Sequence, residues 1–172
     1  MLKLGHRYWK EDELVEVVFD DDNNPKYRYV LECIWKPNTK IVTFIMLNPS
    51  VADYEICDPT LNRCVDFAQR WGFGGMTILN LFAYITPNPD ELLVVNDPVG
   101  ERNDEIIDII IPESDEIVFA WGADYGHFYG RDQFIIDRLK EYQPKCIIKS
   151  KKGHPRHPLY LRKGLELIDY LK

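Results

Sequence analysis

At 172 residues the chain has the length of one domain, 1–172, and can bury a core without disulfides or a structural metal; residues 1–36 read as an N-terminal hairpin extension. A formal net charge of -7 argues against a surface that coats nucleic acid or an anionic membrane indiscriminately, and no window approaches the roughly eighteen apolar residues of a membrane span. Met1 is not followed by an apolar leader, and Cys33, Cys57, Cys64 and Cys146 are dispersed with no C-x-x-C pair, so a cytoplasmic protein with reduced core thiols is expected.

From the amino end, His6 to Phe19 is short and amphipathic, and Val15 to Phe19 alternates loosely before the turn composition Asp20 to Pro25. Tyr27 to Trp35, rich in β-branched and aromatic residues, is expected to pair with it as an antiparallel hairpin. Ile41 to Leu47 is almost wholly apolar, as a strand covered on both faces must be. Asp58-Pro59 reads as an N-cap with proline at the first helical position, and Leu61, Cys64, Val65, Ala68 and Trp71 then recur at helical spacing up to Gly72.

Met76 to Phe82 is the second core strand, with Asn80 its only amide. Asp90 to Val95 is a helical turn, and Asp97 to Gly100 opens a helix through Ile111. Glu116 to Trp121 is the third strand, Arg131 to Tyr142 a helix closed by Pro144, Lys145 to Lys149 the fourth strand, and Tyr160 to Leu171 a terminal helix with Leu161, Leu165, Ile168 and Leu171 on one face. Strands alternating with helices at this spacing predict an α/β fold of three α/β/α layers, with a four-stranded parallel core sheet and the antiparallel hairpin before it.

A parallel sheet brings the loops after its strands to one edge, where ligands bind in open α/β folds. Those loops carry Asn48-Pro49-Ser50 with Asp53 beyond, Asn80, Gly122, and Lys152-Gly-His-Pro-Arg-His157. An asparagine held by a following proline can orient a water through its side-chain oxygen, or it can be a turn residue satisfying local backbone. His154 and His157 can donate to an anion or a base edge beside Arg156 and Lys152, or belong to a basic surface turn; no Cys or carboxylate completes a metal set. Six cations, Lys149, Lys151, Lys152, Arg156, Arg162 and Lys163, cluster there. His127, Asp53, Asp58 and Asp132 are lone candidates for a general base, though each alone is more often a cap or an ion-pair partner. No G-x-G-x-x-G, Walker or G-x-S-x-G motif occurs, which makes a dinucleotide oxidoreductase, an NTPase and an α/β-hydrolase unfavoured and implies no cofactor.

Nine short motifs occur in order, among them Leu47-Asn-Pro-Ser-Val-Ala-Asp53, Asp58-Pro-Thr-Leu-Asn-Arg-Cys64, Asn80-Leu-Phe-Ala83, Asp97-Pro-Val-Gly100, Ala120-Trp-Gly122 and Gly153-His-Pro-Arg-His-Pro-Leu-Tyr160. Together they resemble the bacterial and phage family catalogued as domain of unknown function 1643, over residues 28 to 172. More remotely, the order of strand, Asn-Pro-Ser, helix, strand, helix, glycine-ended strand, helix, strand and His-Pro loop is similar to the uracil-DNA glycosylase superfamily. That resemblance implies a parallel sheet between helices, a water positioned by Asn48 and a donor from His157-Pro158-Leu159 or His154-Pro155. The chain departs from the mismatch-specific branch, Gly-Ile-Asn-Pro-Gly, in having Leu47 after Met46 and Ser50 after Pro49.

Two functions follow. One is an N-glycosidic hydrolase acting on a nucleobase in DNA or in a nucleotide or nucleoside, with Asn48, His154 and His157 catalytic and Pro49, Ser50, Asp53, Asn80, Gly122, Arg156 and Lys152 binding substrate. The other is a non-catalytic nucleotide or nucleic-acid binding module. Both predict a nucleotide or nucleic-acid partner, such as damaged or modified DNA, and neither predicts a membrane.

Overall fold

Apolar runs and helical stripes alternate along the chain, and the computed structural model, which describes residues 1–172, turns them into nine strands and three α-helices. In order these are β1 (Arg7–Tyr8), β2 (Leu14–Phe19), β3 (Arg28–Ile34), β4 (Ile41–Met46), β5 (Ile56–Cys57), α1 (Pro59–Arg70), β6 (Gly75–Asn80), α2 (Asn103–Ile110), β7 (Glu116–Phe119), α3 (Arg131–Leu139), β8 (Lys145–Cys146) and β9 (Ile168–Asp169). Seven strands form one mixed sheet in the order β2-β3-β6-β4-β7-β8-β9, while β1 and β5 make a separate ribbon. The pairs β6·β4, β4·β7 and β7·β8 are parallel; β2·β3, β3·β6 and β8·β9 are antiparallel.

Alternate residues of the central strands feed two cores. Phe44, Met46, Met76, Ile78 and Val118 pack with Leu61, Cys64, Val65 and Phe67 of α1. Ile45, Leu47, Leu79, Ile117 and Phe119 pack with Ile106 and Ile107 of α2 and Ile135 and Leu139 of α3. Helices therefore cover both faces, which is why β4 carries no charged residue. α1 begins as its cap predicts: the Asp58 carboxylate accepts the Leu61 N–H at 2.8 Å, and Pro59 stands at the first helical position.

Four expectations change. The N-terminal hairpin is no appendage, because β3 pairs with β6 and extends the main sheet. The fourth apolar run is a strand only at Lys145–Cys146; Lys149 instead bridges to Pro155. The helix expected through Tyr142 ends at Leu139 and finishes in a 3-10 turn, Lys140–Tyr142. The terminal helix is absent, replaced by a 3-10 turn at Pro158–Tyr160 and by β9. Its apolar residues serve different faces: Leu161 and Leu165 join the α1-side core, Tyr170 packs on the other side against Phe119 and Trp121, and Ile168 and Leu171 are exposed. Gly164, at φ +83°, breaks what remains of the helical period.

All four cysteines are buried and unpaired with one another. Burial pushes the Cys33 and Cys57 thiols up to about 12, Cys146 up to about 11, and Cys64 well above its usual range. Since the thiolate is the reactive form, a disulfide-exchange reagent at mildly alkaline pH should modify none of them in the native protein and all four in denaturant. Rapid labelling of the native chain would contradict this burial.

Candidate functional site

From β4 the chain crosses through α1 to β6 on one side and later returns to β7 on the other side of β4. Such a reversal of strand order opens a crevice at the carboxyl ends of the strands. A cleft of about 450 Å³ occupies it, lined among others by Arg28, Leu47, Asn48, Ser50, Asp58, Thr60, Asn80, Thr86, Trp121, Gly122, Tyr125, His157 and Tyr160. This volume lies in the range of small-ligand sites.

Asn48 leaves β4 with its side chain locked. Its Nδ2 donates to the carbonyls of Pro49 and Thr86, each at 2.9 Å, so the amide orientation is set and Oδ1 faces away from them with no donor from the protein. An acceptor aimed and held in this way can fix a water or a ligand N–H. Asn80, the last residue of β6, is 1% exposed, and neither its Oδ1 nor its Nδ2 has a partner. An orphaned buried amide costs about 1–3 kcal/mol, and a ligand presenting both an acceptor and a donor would remove that cost.

His157 arrives from the loop after β8. The Leu159 N–H donates to its Nδ1 at 3.2 Å, so in the neutral ring the proton sits on Nε2. Burial holds the ring's pKa below its ordinary 6.5, partly offset by the nearby Asp58 carboxylate. His157 is thus a neutral N–H donor in the cleft at neutral pH. Gly122 is required by its backbone, at φ +88°, and not by crowding, since a Cβ there would meet the His157 Cβ at an ordinary 3.6 Å; its N–H ties the end of β7 to the loop through the Pro155 carbonyl.

The depressed histidine gives a pH signature. Above 6.5 the folded and unfolded rings are both neutral; as pH falls below it, the unfolded ring takes up a proton that the folded one refuses, so stability is lost. Urea midpoints measured from about pH 8 to about pH 5 should fall, and His157→Gln should remove part of that slope. A slope unchanged in the variant would show that His157 is not the depressed group.

The sequence-predicted residues divide. Asn48, Ser50, Asn80, Gly122 and His157 line the cleft, and Asp58 joins them. Pro49 is buried and does not line it; its carbonyl takes the Thr86 N–H. Asp53 does not line it; its Oδ1 accepts the Glu55 and Ile56 N–H groups in a turn leading into β5. His154 is held in a tight hairpin, its N–H on the Ser150 Oγ at 3.1 Å and its carbonyl taking the Ser150 N–H. Lys152 and Arg156 are exposed on the same hairpin and line no part of the cleft. No set of three His, Cys, Asp or Glu side chains gathers where it could share a metal ion, and no helix is long and apolar enough to cross a membrane.

Arg28 was not foreseen. It opens β3, which runs antiparallel to β6, so its amino end meets the carboxyl end of the neighbouring strand and delivers the guanidinium to the cleft. The side chain donates to the Ala52 carbonyl at 2.8 Å, its Nε has no partner, and no carboxylate lies within ion-pair distance, although the residue is only 2% exposed. Burial lowers its pKa to about 10, with Asp58 and Asp53 opposing, so it remains charged at neutral pH. The available signal was a charge flanked by Tyr27, Tyr29 and Val30 at the head of a strand that is otherwise mostly apolar, because buried charges are rare without a purpose.

No curated protein and no solved structure matches the chain. The profile of the family described as Protein of unknown function (DUF1643) matches residues 28–159, from the buried arginine of the cleft to Leu159 just after its histidine, and the chain belongs to that family.

Proposed function

We propose that the cleft binds a nucleobase and hydrolyses its N-glycosidic bond. The observation that carries this reading is Asn80, whose buried carboxamide offers one donor face and one acceptor face with nothing in the protein to satisfy either. The edge of a nucleobase presents that complement: a carbonyl beside a ring N–H, or a ring nitrogen beside an amino group. Asn48 and His157 add a fixed acceptor and a fixed donor in the same cleft.

In the reaction, Asn48 Oδ1 holds a water toward the anomeric carbon. The carbon–nitrogen bond to the base breaks as the water oxygen bonds to that carbon, and the electron pair leaves with the base. The Nε2–H of neutral His157 then stabilises the charge developing on the base oxygen, and the water's proton passes to solvent or to the departing base. Positioning and electrostatic stabilisation are the two terms asked of the protein. The resemblance of the motif order to the uracil-DNA glycosylase superfamily favours this reading: Asn48-Pro49 directly follows β4, and His157-Pro158, in a loop that is shifted and carries an extra Arg-His, lies beyond β8.

The test is base release by the wild-type protein from labelled DNA carrying normal and modified bases, from nucleotides and from nucleosides. Release from at least one of them is expected. Tight binding without any release would instead assign the cleft to a nucleotide or nucleic-acid binding module.

A further inference from the structure

Arg28 has no part in the scheme above, and its state demands a ligand of a particular kind. Arg28 is 2% exposed, with one hydrogen bond to a carbonyl and no ion pair, and its charge is met only at longer range by Asp58 and Asp53. Its planar fork matches the geometry of an oxyanion. Around the same cleft stand the hydroxyls of Ser50 and Thr60, neither of which hydrogen-bonds within the protein, and Thr60 belongs to the first turn of α1, where the helix dipole favours negative charge.

We propose that Arg28 seats the terminal phosphate of a small ligand, so that the cleft takes a free nucleotide and not a base held in a polymer. This rests on the nucleobase reading of Asn80. The phosphodiester of a chain remains tethered to its neighbours, whereas a terminal monoester enters with its own molecule and can reach a side chain so little exposed. Asp58 sharpens the choice. Its carboxylate lines the cleft near Arg28, with Oδ1 occupied by the Leu61 N–H. A phosphate monoester can keep a P–OH to donate to that carboxylate, and a diester has none. Lys152 and Arg156, exposed on their hairpin, then contribute little to nucleotide affinity.

Equilibrium binding of the common nucleosides, their 5′-monophosphates, inorganic phosphate and an unphosphorylated single-stranded oligomer would be measured on the wild type, Arg28→Met, Arg28→Lys and the double variant Lys152→Ala/Arg156→Ala. For at least one base the monophosphate should bind the wild type about 10- to 100-fold tighter than its nucleoside, the scale of charge-assisted bonds to one anion. Arg28→Met should erase that difference and leave nucleoside affinity within about 3-fold, with Arg28→Lys intermediate and the double variant like wild type. Equal wild-type affinity for nucleoside and monophosphate, or an oligomer bound tighter than every monophosphate, overturns the proposal without needing any variant to fold. If monophosphates of all bases and inorganic phosphate bind alike and no nucleoside binds, the nucleobase reading fails while the phosphate seat at Arg28 stands.

Discussion

Asn80→Leu is expected to fold more stably than the wild type and to lose base binding. The two side chains share one branched heavy-atom skeleton, the bulkier leucine can extend into the cleft that Asn80 lines, and the substitution removes two buried polar atoms that have no partner in the unliganded protein. Leaving such a group unsatisfied costs about 1–3 kcal/mol, so the urea-unfolding free energy should rise by about that amount. Affinity should move the other way, by about 100-fold or more, because a site built to hydrogen-bond its ligand rejects one left with unpaired groups. Gain of stability with loss of binding is the mark of a residue kept for its ligand. A variant that loses about 1 kcal/mol or more would mean that the Asn80 amide is satisfied in the resting protein, and the nucleobase reading would lose its main support.

The second large effect is on rate. Asn48→Ala should slow base release by about 100-fold or more while nucleotide affinity changes by no more than about a factor of a few, the pattern of a group acting in the transition state alone. It should also cost about 1–2 kcal/mol of stability, since the Thr86 and Pro49 carbonyls lose their amide donor. Asn48→Asp separates the two roles. It keeps an acceptor, but its carboxylate meets those same carbonyls and turns from them, so the aim of the oxygen is lost with the donors. Base release at the wild-type rate by either variant would remove Asn48 from the reaction.

Much of the architecture is local in origin and was legible along the chain. β4, β6 and β7 come from runs so apolar that only a strand sheathed on both faces accommodates them, and α1 comes from an aspartate cap, a proline and a stripe at helical spacing. Asn48, Asn80 and Gly122 could be placed at one edge because strands alternating with helices pair in parallel and bring their carboxyl ends together. The composition of the cysteines likewise predicted their burial.

What no local pattern contained was decided by contacts distant in sequence. The terminal segment has a helical period in Leu161, Leu165 and Ile168, yet it runs irregularly into the two-residue edge strand β9, because β8 has a free edge to pair and its apolar residues are needed on both faces of the sheet. The basic hairpin carries His154, Lys152 and Arg156 outside the cleft lining and His157 into it, a division set by the bridge between Lys149 and Pro155 and by the tie from Gly122 to Pro155. Arg28 reaches the cleft because an antiparallel strand meets its neighbour's carboxyl end with its own amino end. Periodicity reports which residues must avoid water, and so it locates strands and helices. It carries no record of which strand lies beside which, and that pairing determines where a lone charge or a histidine comes to rest.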